Sequence, residues 1–187
     1  MRIISGEFKG KKILEPKDKN TRPLKDLAKE SIFNILKHSN KLSFDLNNKS
    51  ILDLFSGVGS FGLEALSRNA NYVTFIENYP EVTEILKKNI DNLNLKNRCK
   101  IIEKNIFSDL DFDEFDHRFN LIFLDPPFKE EKVNSLILKI FYSNVLNPDG
   151  LLIIHRNSKE SHTFPTQLNI LEKKTYGISQ IFFCKFN

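Results

Sequence analysis

The sequence predicts an α/β domain: a mostly parallel sheet with helices on both faces, closed by a C-terminal antiparallel hairpin. Three observations point to it. From residue 50 onward, short apolar runs of strand length alternate with segments of helical periodicity, a pattern that favours parallel strands covered on both sides. A glycine-rich stretch, Asp53-Leu-Phe-Ser-Gly57-Val-Gly59-Ser-Phe-Gly62, stands between the first such run and the first such helix. The end of the chain changes character, with two apolar runs around Tyr176-Gly177 and no helical segment between them.

Taken in order, residues 1–20 read as a short hairpin. Ile3 and Ile4 form one arm, Gly6 and Gly10 bracket the turn, and Lys12-Ile13-Leu14 begins the return. Residues 24–37 carry Leu24, Leu27, Ala28, Ile32, Ile35 and Leu36 at helical spacing. Asn47-Asn48 reads as a linker, so the expected division is an extension over 1–48 and a main domain over 49–187. Expected strands are Ser50–Phe55, Tyr72–Glu77, Lys100–Glu103, Leu121–Asp125 and Leu151–His155, then Leu168–Lys173 and Ile178–Phe186. Helices are expected at Phe61–Arg68, Pro80–Leu93 and Lys132–Tyr142, with Pro80 suited to a first helical turn. The acidic stretch Asp109–Asp116 reads as a solvated loop.

Composition narrows the function classes. The chain has 187 residues, 40% of them hydrophobic, enough for one domain with a sizeable core. No run approaches the ~18 apolar residues of a membrane span, and the N-terminus has no signal-peptide core. The expectation is a soluble cytoplasmic protein, read as a monomer. Cys99 and Cys184 stand far apart, and His38, His117, His155 and His162 are scattered. Neither set has ligand spacing, so no metal is expected. The charge is uneven: residues 1–50 hold 12 Lys/Arg against 6 Asp/Glu, while residues 51–187 hold 16 against 18. A basic N-terminal third suits a polyanion partner, or only a solubilising surface. On the first reading Lys9, Lys11, Lys12 and Arg22 meet the phosphates of that polyanion.

Gly57, Gly59 and Gly62 match GxGxxG, a spacing shared by sites for dinucleotides and for S-adenosylmethionine. Asp53 helps to choose. A dinucleotide puts an anionic pyrophosphate at this loop, where a carboxylate repels it. S-adenosylmethionine carries a sulfonium and an ammonium and no phosphate, so the acid favours it. Glu77 ends the next strand, where it can accept hydrogen bonds from ribose hydroxyls of either ligand.

The segment Leu121-Ile-Phe-Leu-Asp125-Pro126-Pro127-Phe128 carries the chemistry. It ends the fourth strand, at the sheet edge where open α/β folds bind ligands. The prolines stiffen the loop and leave carbonyls without competing amide donors. An exocyclic base amine is a poor nucleophile because its lone pair is delocalised. Acceptors such as Asp125 and the loop carbonyls, holding its hydrogens, free that lone pair, while Phe128 stacks on the base. Methylation at a ring carbon would want a cysteine nucleophile in this loop, and there is none.

In these residues the chain resembles the RsmD-type methyltransferases, which modify the N2 amine of one guanine in 16S ribosomal RNA. The resemblance spans nearly the whole length. It includes the opening RIISGEFKGKKI, Thr21-Arg22-Pro23, Lys29-Glu30-Ser-Ile-Phe33-Asn34, the loop DLFSGVGSFGLEALSRNA, Glu77, Asn105, DPPF and Tyr176-Gly177. It implies a Rossmann-like seven-stranded sheet, with the N-terminal segment near the substrate side. It implies S-adenosyl-L-methionine held by Asp53, Phe55, Gly57, Gly59, Glu77 and Asn105, with Asn105 at the adenine end. The implied partner is 16S ribosomal RNA or a small-subunit assembly particle. Leu24 and Lys29 depart from the family's usual Thr and Arg, and His155-Arg156 stands at the fifth-strand exit where a glutamate is common. The competing readings are a DNA amino-methyltransferase, an NAD-dependent oxidoreductase and a non-catalytic RNA-binding protein.

Overall fold

The structure, a computed structural model, describes residues 1–16, 24, 26–42 and 44–187. Its elements are α1 (Asp26–His38), β1 (Ser50–Leu54), α2 (Ser60–Ser67), β2 (Tyr72–Ile76), α3 (Pro80–Asn92), β3 (Cys99–Ile102), β4 (Phe119–Leu124), α4 (Val133–Tyr142), β5 (Leu146–Asn157), β6 (Leu168–Tyr176) and β7 (Ser179–Phe186). Among the described residues the strands form one seven-stranded sheet in the order β3-β2-β1-β4-β5-β7-β6. Strands β3 to β5 are parallel, and β7 runs antiparallel between β5 and β6. The order reverses between β1 and β4, so their C-terminal ends flank the crevice where such sheets bind ligands.

Period-two alternation sorts the side chains. Ile51, Leu121, Phe123, Leu151 and Ile153 face a core shared with α1, α2 and α3. Leu52, Leu54, Ile122, Leu124, Leu152 and Ile154 face the second core, with α4. Phe61 of α2 stacks between Phe33 of α1 (5.0 Å) and Phe123 of β4 (3.9 Å), which fixes these layers together. Val73 and Phe75 meet the Cα of Gly62 so closely that a Cβ there would lie 2.3 Å from the Phe75 ring.

The N-terminal segment forms the expected hairpin, with an antiparallel bridge from Arg2 to Lys12 and cross-arm bonds from Ile3 N to Lys11 O (2.9 Å), Gly10 N to Ile3 O (2.9 Å) and Ile13 N to Met1 O (3.0 Å). Helices α2 and α3 satisfy more of its backbone. Ile4 and Ser5 donate to the fully buried Glu64 carboxylate (2.7 and 3.0 Å), and Glu7 donates to the Ser67 carbonyl (2.8 Å). Asn89 pairs both ways with Leu14 and also donates to Val58 O (3.1 Å). Ile3 and Ile13 lie in the same core as Leu63 and Phe123.

Helix α1 buries Ala28, Ile32 and Leu36 as its spacing predicts, with Leu27 and Lys29 as the exceptions. Leu27 is 67% exposed while Lys29 is fully buried. The Lys29 ammonium has partners that make burial tolerable: it donates to Arg2 O (2.8 Å) and Ser60 Oγ (3.2 Å), with Glu64 at 3.9 Å. Burial lowers its pKa, against the opposing charges of Glu64 and Asp26. Strand β5 is longer than expected, because it gains residues at both ends: Leu146 pairs with Phe119 across a register shift, and Arg156 and Asn157 pair with β7. The acidic 109–116 stretch is not merely solvated, since Leu110 and Phe112 plug into the α4-side core.

Glu64→Ala would leave the Ile4 and Ser5 amides and the Arg68 guanidinium without their acceptor, and the buried Lys29 charge with Asp26 as its remaining carboxylate. Loss of one partner from a buried pair costs about 3–5 kcal/mol, a fall in Tm on the order of 10 °C for a domain this size. Thermal unfolding followed by circular dichroism is expected to show that fall, with Glu64→Gln, which keeps an acceptor, losing less.

Candidate active site

The site grows from the end of β1. After Leu54 the backbone turns left-handed at Phe55 (φ 59°), Gly57 (φ 54°) and Gly59 (φ 84°). That conformation is uncommon for an aromatic residue and ordinary for glycine. Gly59 is doubly constrained, since a Cβ there would also lie 2.5 Å from Leu86 Cδ1. The turn is pinned by Ser56 N donating to Ile76 O (3.1 Å) and Gly59 N to Ser56 O (2.9 Å).

Three carboxylates converge at this edge. Asp53 is 1% exposed and accepts from Gly62 N (3.0 Å). Burial pushes its carboxyl well above the usual aspartate range; the Gly62 N–H opposes this, and the nearby charges of Asp125 and Glu77 add to it. Glu77 accepts from Gly57 N (2.8 Å), Asn78 N (2.9 Å) and Tyr79 N (3.0 Å). Asp125 follows β4, with Oδ1 2.7 Å from His155 Nδ1.

These groups share a cavity of about 600 Å³, a size that suits a nucleoside-sized ligand. Asp53, Phe55, Gly57, Glu77, Asn105, Asp125, Pro126, Pro127 and Phe128 all line it. Gly59 does not; it shapes the turn behind the wall. The Asn105 side-chain oxygen accepts from Phe107 N (2.9 Å), a turn that brings Ile106 and Phe107 to the cavity. Phe55 and Phe107 rings lie 5.7 Å apart there. Pro16 and Leu24, from either end of the 17–23 segment, line the cavity as well.

The expected RNA-binding lysines stand elsewhere. Lys9, Lys11 and Lys12 are exposed, and none lines the cavity. Lys9 and Lys11 flank a turn beside Ser67, at the far end of α2 from the glycine loop. Arg22 lies outside the described residues.

The sequence reading noted His155 and Arg156 at the fifth-strand exit but gave them no role. His155 sits within β5 rather than at its exit, on the same face as Ile153, and Phe123 pairs with Ile153 two positions earlier. Asp125 and His155 are therefore cross-strand neighbours on one face, and period-two counting from Ile153 is the signal that could have found this. Arg156, 6% exposed, donates to Pro127 O (3.2 Å), Phe128 O (2.9 Å) and Glu130 O (3.1 Å). This corrects the expectation that the loop carbonyls as a group await a ligand: those of Pro127 and Phe128 are engaged by Arg156. The Pro126 carbonyl has no hydrogen-bond donor among the described residues.

The sequence profile described as conserved hypothetical protein 95 matches residues 1–185. Ribosomal RNA small subunit methyltransferase D of Haemophilus influenzae is 32% identical over 179 residues, covering 95% of this chain and 90% of that one. The chain belongs to the RsmD-type methyltransferase family. A solved structure of yhhF from Escherichia coli superposes on this family member with a TM-score of 0.82 at 26% identity, covering 100% of this chain and 98% of that one. An RNA methyltransferase of Salinibacter ruber, solved with S-adenosyl-L-homocysteine, shares the fold at a TM-score of 0.66 and 14% identity, covering 88% and 94%. Among the described residues no group of three or more His, Cys, Asp or Glu could hold a metal ion. No described helix is long and apolar enough to cross a membrane.

Asp53 yields a pH prediction. A raised folded pKa means that the native state favours the protonated acid. Its ionisation therefore costs nothing below the ordinary aspartate range, and the cost grows as pH rises through the folded value. Asp53→Asn removes that cost. The variant's Tm without ligand is expected to gain on wild type as pH rises from about 4 toward 8, while S-adenosylmethionine affinity falls roughly ten- to a hundredfold. Differential scanning fluorimetry across pH and titration calorimetry check the two halves.

Proposed function

We propose that this protein transfers a methyl group from S-adenosyl-L-methionine to the exocyclic N2 amine of a guanine in 16S ribosomal RNA, as RNA or within a small-subunit assembly particle. One observation carries the reading: a cation-favouring acidic pocket and the Asp125-Pro126-Pro127-Phe128 loop line the same cavity.

The residues fit the methyl donor. Asp53 and Glu77 supply negative charge beside the glycine loop, which suits a sulfonium and an ammonium and disfavours a pyrophosphate. Glu77 would receive the ribose hydroxyls, and Phe55, Ile106 and Phe107 form an apolar wall for the adenine. Bound there, S-adenosylmethionine supplies an electrophilic methyl group.

The chain's own residues prepare the nucleophile. The Asp125 carboxylate and the Pro126 carbonyl accept the amine hydrogens, which concentrates the lone pair on nitrogen. Phe128 stacks on the base and holds the amine in line. A carboxylate is an acceptor only. Guanine presents its amine beside the N1–H donor, whereas adenine and cytosine present theirs beside an acceptor nitrogen. The two acceptors serve the amine hydrogens of any of these bases, and the choice of guanine rests on the resemblance to the RsmD-type family. The exposed Lys9, Lys11 and Lys12, with Arg22, would meet phosphates of a large RNA away from the reacting base.

Tritiated-methyl transfer to separated cellular RNA and DNA, followed by nucleoside analysis, tests the assignment: N2-methylguanosine is the expected product, and N6-methyladenine in DNA would overturn it. Asp125→Ala is expected to lower kcat and kcat/KM together in single-turnover assays, with cofactor affinity kept. Phe128→Leu should weaken productive RNA binding about ten- to a hundredfold while Phe128→Tyr is tolerated. Neutralising Lys9, Lys11 and Lys12 together should reduce the salt slope of RNA affinity by about 0.7–0.9 for each phosphate no longer neutralised; filter binding over a salt series measures it.

A further inference from the structure

Consecutive residues of β5 grip the catalytic loop in two ways. Arg156 holds its backbone, through the carbonyls of Pro127, Phe128 and Glu130. His155 touches its side chains. The imidazole Nδ1 is 2.7 Å from Asp125 Oδ1, and the ring meets Phe128 edge-on, centroids 5.6 Å apart at 76°. The imidazole is fully buried, and its Nε2 has no hydrogen-bond partner among the described residues.

We infer that His155 is a positioning residue for methyl transfer, which sets the Asp125 carboxylate and the Phe128 ring relative to each other. The inference rests on the methyl-transfer reading of the site.

Hydrogen-bond satisfaction assigns the donor. A proton on Nε2 would be buried with no acceptor, which is unfavourable. A proton on Nδ1 has the Asp125 carboxylate before it. The imidazole therefore donates from Nδ1, and Asp125 Oδ1 accepts. With Oδ1 committed to β5, the carboxyl is oriented relative to that strand. Without the donor, the carboxylate loses its restraint from β5. The Phe128 ring adds the second restraint. The base must be stacked at the height at which its amine meets the carboxylate, and one imidazole spans both groups. Position 155 lies opposite Asp125 in the extended β4–β5 register, so its side chain reaches across one inter-strand spacing.

The experiment uses the full chain. His155→Leu removes the donor and keeps apolar bulk. His155→Asn places an amide N–H near the Nδ1 position, and His155→Gln places one near Nε2, away from Asp125. The expected result for His155→Leu is single-turnover methyl transfer slowed by about ten- to a hundredfold, the worth of one charge-assisted hydrogen bond, with cofactor Kd unchanged by calorimetry. His155→Asn should recover most of the rate and His155→Gln should not. A purely packing role would not produce that order. Wild-type rate in folded His155→Leu, or Asn and Leu equally slow, would overturn the inference. Imidazole ¹⁵N NMR of the wild type is an arm that needs no variant to fold: it should show a protonated Nδ1, and a proton on Nε2 alone would overturn the assignment. A wild-type protein that carries this Nδ1 signature yet methylates no RNA would sink the methyl-transfer reading and leave the His155–Asp125 pairing standing.

Discussion

The buried carboxylate of Glu64 gathers the N-terminal half of the molecule. It sits on α2 with no exposure and receives the Ile4 and Ser5 amides, the Arg68 guanidinium at 2.7 Å and, at longer range, the Lys29 ammonium. These donors come from the N-terminal segment, from α1 and from the end of α2. A buried acid can be kept only where several donors converge on it, and here the convergence is what aligns the first sixteen residues, α1 and α2. Lys29 carries the arrangement forward, since it also donates to Ser60, which lines the cavity. The cavity wall is thus held from behind by a polar network, and from beneath by the Phe33–Phe61–Phe123 stack.

Much of this was legible in the sequence, for definite reasons. Apolar runs ending in an acid marked Asp53, Glu77 and Asp125, because a buried strand that stops at the ligand edge must change character at its last residue. The order of helices and strands, and the closing hairpin, followed from periodicity alone. Legibility failed where a side chain's environment is set by distant chain. Periodicity put Leu27 inward and gave Lys29 no special place, because Lys29 finds its partners on the N-terminal segment and α2. His155 read as a strand exit, because the antiparallel β7 that prolongs β5 lies over twenty residues downstream in sequence. The carbonyls of Pro127 and Phe128 read as available, because nothing local announces an arginine from the neighbouring strand. Asn105 does line the cavity, and its oxygen also shapes the chain at Phe107, a local turn the sequence reading did not describe.

The cavity also shows stability set against use. Asp53 would be more comfortable neutral, buried as it is near two other acids. A buried carboxyl held well above its ordinary range in a cleft is a physical signal of a functional site. Left-handed Phe55 belongs to the same pattern, local strain at a loop that approaches a ligand. Both effects lie at the C-terminal end of β1, beside the crevice where the strand order reverses.

The anchoring of the N-terminal segment has a consequence for biosynthesis. Its hydrogen bonds reach 60 residues ahead to Glu64 and 75 ahead to Asn89. The N-terminal segment therefore cannot dock until α3 has left the ribosome. Long-range closure of this kind raises contact order and slows folding. Until then Ile3 and Ile13, core residues in the finished fold, remain uncovered on the nascent chain.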